Sequence, residues 1–125
     1  MLKATTKSET IILDSSGVVK CYVHKDYFLE LDDAKENLEV VKRFGNGKLI
    51  PVLVDIKESK GGSKECRAYF ASEEAGKIQS ACALLVSSPL SRLIGNFFIG
   101  LNKTKFPTKL FTDESEAMDW LKNFL

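Results

Sequence analysis

Leu49-Ile50-Pro51-Val52-Leu53-Val54-Asp55-Ile56 is the stretch on which the fold turns. It is nearly all apolar and rich in β-branched residues. It is also too short for a typical buried helix, so it reads as a strand covered on both faces. Pro51 brings no N–H to a ladder, which puts it near the strand's start. Residues 82–86, Cys-Ala-Leu-Leu-Val, form a second run of the same kind. Two such runs separated by polar, helix-forming sequence predict parallel strands with helices packed on them.

Working outward, Ser63 caps a helix that runs to about Ala71, with Glu65 in its first turn, and a second helical piece covers residues 73–79. Beyond the second run, Ser88-Pro89 is a helix start. Leu90, Leu93, Ile94, Phe97, Phe98 and Leu101 follow it at helical spacing. Pro107 lies past that helix, residues 109–111 form a short strand, and Thr112 caps a last helix whose buried stripe is Ala117, Trp120, Leu121 and Phe124. Upstream, residues 10–13 and 18–23 form a hairpin across Asp14-Ser15-Ser16-Gly17. A helix capped by Asp32 then carries Leu31, Ala34, Leu38, Val41 and Phe44, and Gly45-Asn46-Gly47 stops it. The expected order is ββαβαβαβα: one α/β domain over residues 1–125, with a mixed, mostly parallel sheet packed with helices.

At 125 residues the chain has room for one core, and 44% apolar content is that of a globular protein. Lysine and arginine number 18 against 17 acidic residues, a balance that argues against a nucleic-acid binder. The first seven residues lack the apolar core of a signal peptide, and no apolar run is long enough to span a bilayer. Cys21, Cys66 and Cys82 are odd in number and far apart, which reads as reduced thiols in a cytoplasm.

The segments Ser87-Ser88-Pro89-Leu90-Ser91-Arg92-Leu93-Ile94-Gly95-Asn96-Phe97-Phe98, Gly100-Leu101-Asn102-Lys103 and Phe106-Pro107-Thr108-Lys109-Leu110-Phe111-Thr112-Asp113 carry a resemblance, as do Glu116-Ala117-Met118-Asp119-Trp120-Leu121, Val54-Asp55-Ile56 and Ser63-Lys64-Glu65. With these the chain resembles an uncharacterised bacterial family, common in Bacteroidetes, of STAS-like domains sometimes labelled together with CRAL-TRIO lipid-binding proteins. The resemblance covers nearly the whole chain. It implies the fold of anti-sigma-factor antagonists, in which a regulatory serine sits in the loop after the third strand, at the start of the second helix. Ser59 and Ser63 are the positional counterparts here. Asp14-Ser15-Ser16-Gly17 looks like the antagonists' serine motif, but it lies between two strands and reads as turn chemistry.

No catalytic constellation is evident. His24 is the single histidine and no triad can be built around it. The cysteines lack metal-ligand spacing, and no cofactor motif is present. Cys66 has Lys64 and Arg67 as neighbours, an arrangement that lowers a thiol pKa, although a passive helix residue is the simpler reading. Gly61-Gly62-Ser63-Lys64 departs from a phosphate-binding loop because Ser63 separates the glycine from the lysine. Asp32, Asp33, Glu36 and Glu39 read as a solvated helix face.

Arg92, Asn96, Asn102 and Lys103 decorate the helix after Pro89, where Gly95 and Gly100 suggest close approach of another backbone or a partner. Ile99 with Phe106 forms an exposed apolar patch near Lys103, Lys105 and Lys109. The expected function is a non-enzymatic regulatory or protein-binding module, acting on a protein partner or on itself. Its surface combines Ser59, Ser63, Lys64 and Arg67 with Arg92, Asn96, Asn102 and Lys103. The alternatives are a carrier of lipid or of a small apolar ligand, suggested by the family label and the aromatic helix, and an enzyme using Cys66 or a serine.

Overall fold

A computed structural model describes residues 2–87 and 105–125. The β-branched and apolar runs become β1 (Leu2–Thr5), β2 (Glu9–Leu13), β3 (Val19–Val23), β4 (Phe28–Leu29), β5 (Ile50–Asp55), β6 (Gly61–Gly62), β7 (Gln79–Leu85) and β8 (Thr108–Phe111). The helices are α1 (Leu31–Gly45), α2 (Lys64–Phe70), α3 (Glu73–Gly76) and α4 (Glu114–Leu121), the last running into a 3-10 turn at Lys122–Phe124. Six strands form one sheet in the order β1-β2-β3-β5-β7-β8. The first three pair antiparallel; β3 with β5, β5 with β7 and β7 with β8 are parallel. A separate parallel ladder joins β4 to β6.

Strand alternation sorts the core onto the two faces of the sheet. On one face Ile11, Val19, Cys21, Ile50 and Val52 pack with Val40 and Val41 of α1. Beside them Val23, Ile56 and Val86 meet Ala34 of α1 and Cys66 of α2. On the other face Leu53, Ala81, Ala83 and Leu85 lie under Ala117 and Leu121 of α4. Small residues at 81 and 83 let α4 sit close to the sheet. The largely apolar strands β5 and β7 are thus covered on both faces, as their composition requires. Among the described residues, no helix is long and apolar enough to cross a membrane.

The mixed, mostly parallel α/β sheet is as expected, but the order ββαβαβαβα is too simple. Residues 2–5 form an added edge strand, and β4 and β6 add a second ladder. The 73–79 helix stops at Gly76, because Gln79 already belongs to β7. The caps shift by one or two residues. Glu30, not Asp32, caps α1, through a reciprocal box with Asp33. Asp113, not Thr112, caps α4, its carboxylate accepting the Ser115 N–H. Ser63 caps α2 as expected. Pro51 sits at an irregularity in the β5–β7 register between Ile50 and Pro51, where a missing N–H is tolerated. The readings at Ser88-Pro89, the Leu90–Leu101 helix, Arg92, Gly95, Asn96, Ile99, Gly100, Asn102 and Lys103 lie outside the described residues.

Candidate functional site

Parallel pairing delivers the carboxyl ends of β5, β7 and β8 to one edge of the sheet, where open α/β sheets place ligands. The chain leaves β5 there and runs through residues 57–63 into α2. That segment is held closely. The Asp26 N–H donates to the Glu58 carbonyl at 2.9 Å, and the Lys60 N–H to the Tyr27 carbonyl at 2.9 Å. Ser59 Oγ accepts the Gly61 N–H at 3.0 Å and donates to the Tyr27 carbonyl at 3.2 Å. Gly61 has φ +107°, a conformation an L side chain rarely adopts. The Ser63 N–H donates to the Leu29 carbonyl at 2.8 Å, and Ser63 Oγ accepts the Cys66 N–H at 3.1 Å.

The backbone is therefore fixed while the long charged side chains face outward. Lys57, Glu58, Lys60, Lys64 and Glu65 are exposed; Ser59, Ser63 and Arg67 are half-buried. Ser59, Ser63, Lys64 and Arg67 come together on this one segment. Both serine hydroxyls already shape backbone, and Arg67 turns its Nε back to the Ser63 carbonyl at 3.4 Å.

Cys66 is fully buried, and burial, reinforced by the Asp33, Glu9 and Glu30 carboxylates, pushes its thiol up to about 12. Arg67 opposes this only weakly, so the low-pKa reading of Cys66 is overturned. Burial likewise pushes Cys82 up to about 12 and raises Cys21. His24 sits between Thr10 Oγ1 at 3.4 Å and the Lys7 carbonyl at 3.3 Å. Phe106 is half-buried rather than exposed, and with Leu29, Val54, Ile56, Phe70 and Leu84 it borders an apolar void of about 40 Å³. Among the described residues, no group of three His, Cys, Asp or Glu side chains is arranged to hold a metal ion.

A second polar cluster lies under α1, where the sequence suggested only solvent. Asp33 is 1% exposed, against the solvated face expected for it, and Glu9 and Asn37 are 1% and 3% exposed. Asp33 accepts the Glu30 N–H at 2.9 Å, the Tyr27 hydroxyl at 3.0 Å and the Lys7 ammonium at 3.0 Å. Burial alone raises an aspartate, but the Glu30 N–H, Lys7 and Tyr27 outweigh it and hold Asp33 below the usual range. One helical turn on, Asn37 Nδ2 donates to Glu9 Oε1 at 2.8 Å and also lies 3.3 Å from Cys21 Sγ. Burial pushes Glu9 up to about 7, despite the bonds from Asn37, Cys21 and Ser8. Two signals were available: Glu9 alternates in step with Ile11 and Leu13, and Asp33 and Asn37 flank the apolar positions Ala34 and Leu38.

A family model described as "Domain of unknown function (DUF7793)" matches residues 11–125. No curated protein matches the chain. Among solved structures, the chain is similar to a protein of the DUF3478 family from Shewanella loihica PV-4, described as having a SpoIIAA-like fold. The two are 19% identical with a TM-score of 0.66, over 97% of this chain and 99% of that one. A protein of unknown function from Arthrobacter sp. FB24 is 27% identical, with a TM-score of 0.36 over 94% of this chain and 95% of that one. The Shewanella likeness shows a SpoIIAA-like fold, and it supports the STAS-like architecture expected from the sequence.

Proposed function

The chain belongs to the family described as domain of unknown function DUF7793, and from that premise we propose that it is a non-enzymatic regulatory module of the cytoplasm, binding a protein partner or a second copy of itself through the rim at residues 57–67. The observation that carries this reading is the pinned backbone of the rim beneath exposed side chains. A surface ordered before binding loses little entropy on association. Lys57, Lys60 and Lys64 are interspersed with Glu58 and Glu65, a mixed-sign pattern suited to a protein surface rather than to a phosphate backbone. Ser59 and Ser63 are committed to backbone bonds and Cys66 to the core, which favours binding over covalent chemistry. Arg92, Asn96, Asn102 and Lys103 follow β7 in the chain and belong to the same proposal. Among the described residues the apolar void beside Phe106 holds about 40 Å³, well short of the roughly 300 Å³ of a small-molecule pocket. The roomier cleft of about 370 Å³ is lined mostly by charged residues, Glu30, Asp32, Lys35 and Glu65, so the binding module is preferred to the apolar-ligand carrier.

The test reverses two exposed charges, Lys60→Glu with Lys64→Glu. A partner captured by the wild-type chain is identified, purified and titrated against both proteins by calorimetry, and self-association is followed by sedimentation. The expected result is binding weakened at least about tenfold, or self-association lost. Unchanged affinity for every partner, with unchanged sedimentation, rejects the rim. Substrate turnover by the purified chain rejects the non-enzymatic reading.

A further inference from the structure

We propose that Glu9 is a proton-controlled latch: protonated, it seats α1 firmly on the sheet; ionised, it loosens that seat. The basis is the set of groups around the carboxyl. Glu9 projects from β2 into the interface with α1 and is 1% exposed. From α1 it meets the Asn37 amide, with the Asp33 carboxylate one turn away. From β3 it meets the Cys21 thiol, beyond which lies Cys82 of β7, and α2 contributes the Cys66 thiol. From its own turn it has the Ser8 hydroxyl at 3.5 Å.

No ion pair to Glu9 exists among the described residues. The ammonium of Lys7, two residues before Glu9, is instead 3.1 Å from Asp32 and 3.0 Å from Asp33. An ionised Glu9 is thus a buried anion facing an amide, a hydroxyl and thiols, with a second carboxylate nearby. Such a charge is poorly tolerated in a dry interior. A neutral carboxyl in the same place keeps the Asn37 bond without that cost. The charged form is relieved by water entering between β2 and α1, which means loss of protection along the buried face of the helix. The raised pKa of Glu9, about 7, puts the change within the physiological range. The inference does not depend on what the rim binds.

The test uses the full chain with His24→Gln in every protein, which removes the single imidazole. The Glu9 side-chain carboxyl is titrated by carbon NMR between pH 4 and 9. Amide exchange of α1, corrected for its intrinsic pH dependence, is measured at pH 6 and pH 8, with Glu9→Gln as the comparison. The expected result is a Glu9 midpoint near 7 and a fall in α1 protection of up to about tenfold from pH 6 to pH 8. Glu9→Gln should hold its protection across that range. A Glu9 midpoint in the ordinary carboxylate range overturns the proposal. So does protection that does not fall, or that falls as much in Glu9→Gln. The carboxyl titration needs no Glu9 variant, so it decides the matter even if Glu9→Gln does not fold.

Discussion

Asp33→Ala removes a side chain that ties three segments together: the Lys7 turn, the Tyr27 loop and the first turn of α1. Two of its bonds set the magnitude. The Glu30 N–H at 2.9 Å is half of a capping box, worth about 1 kcal/mol. The Tyr27 hydroxyl, shared between both carboxylate oxygens at 3.0 and 3.1 Å, is a bond to a charged acceptor worth about 1.5–3 kcal/mol. Lys7 is 54% exposed at its side chain, so water screens its pair with Asp33 and nothing is added for it. The expected loss is about 3 kcal/mol, a large part of the roughly 5–15 kcal/mol that holds a domain together.

Urea unfolding followed by the fluorescence of Trp120, the chain's single tryptophan, reads this loss directly. Trp120 lies on α4, on the opposite face of the sheet, so it reports the whole domain rather than the clamp. Tyr27→Phe, alone and combined with Asp33→Ala, should show a coupling of about 1 kcal/mol or more. The sign with pH follows from the depressed pKa of Asp33. Its contribution is present above the ordinary value of 3.8 and disappears as pH falls through the lower folded value. The gap between wild type and Asp33→Ala should therefore narrow in acid. A loss below about 0.5 kcal/mol at pH 7 would refute the clamp.

Leu53→Ala opens a cavity beneath α4 at a fully buried site and should cost about 2–5 kcal/mol by the same urea assay. Cys21, Cys66 and Cys82 are all buried with raised thiol pKa values. Native protein at pH 7 should therefore react with a thiol-labelling reagent at least about a hundredfold more slowly than unfolded protein. A fast native phase assigned to Cys66 by mass spectrometry would restore the reactive-thiol reading.

What the chain disclosed before its structure depended on whether apolar letters alone marked an element. β5 and β7 were plain because burial on both faces fills their central stretches, residues 50–54 and 81–85, with apolar side chains. β1 was not, because Leu2-Lys3-Ala4-Thr5 is a short edge strand with mostly exposed side chains, and an apolar–polar alternation of four residues is too brief to mark an element. The two-residue strands β4 and β6 are set by backbone pairing alone, and two glycines leave no side-chain pattern to read. The rim was legible in part: Ser63 announced its cap, whereas the role of Ser59 depends on Tyr27, 32 positions earlier in the chain. The cluster under α1 was missed for another reason. Asp33 reads with Asp32, Glu36 and Glu39 as a solvated face, and Glu9 and Asn37 do not announce burial by residue type. Yet each of Asp33, Glu9 and Asn37 sits on the inward side of its element and is satisfied by a partner from another segment.

The ladder between Phe28–Leu29 and Gly61–Gly62 has a mechanical consequence. Each of its strands ends at a helix cap, Glu30 for α1 and Ser63 for α2, and the Ser63 N–H is itself bonded to the Leu29 carbonyl. The two helix starts are therefore joined directly through backbone bonds. A push on the start of α2 is delivered to the start of α1 through a crossbar of backbone bonds, braced by the Ser59 hydroxyl between Gly61 and Tyr27. The pair behaves as one rocker on the sheet, so the two helix starts should come loose together.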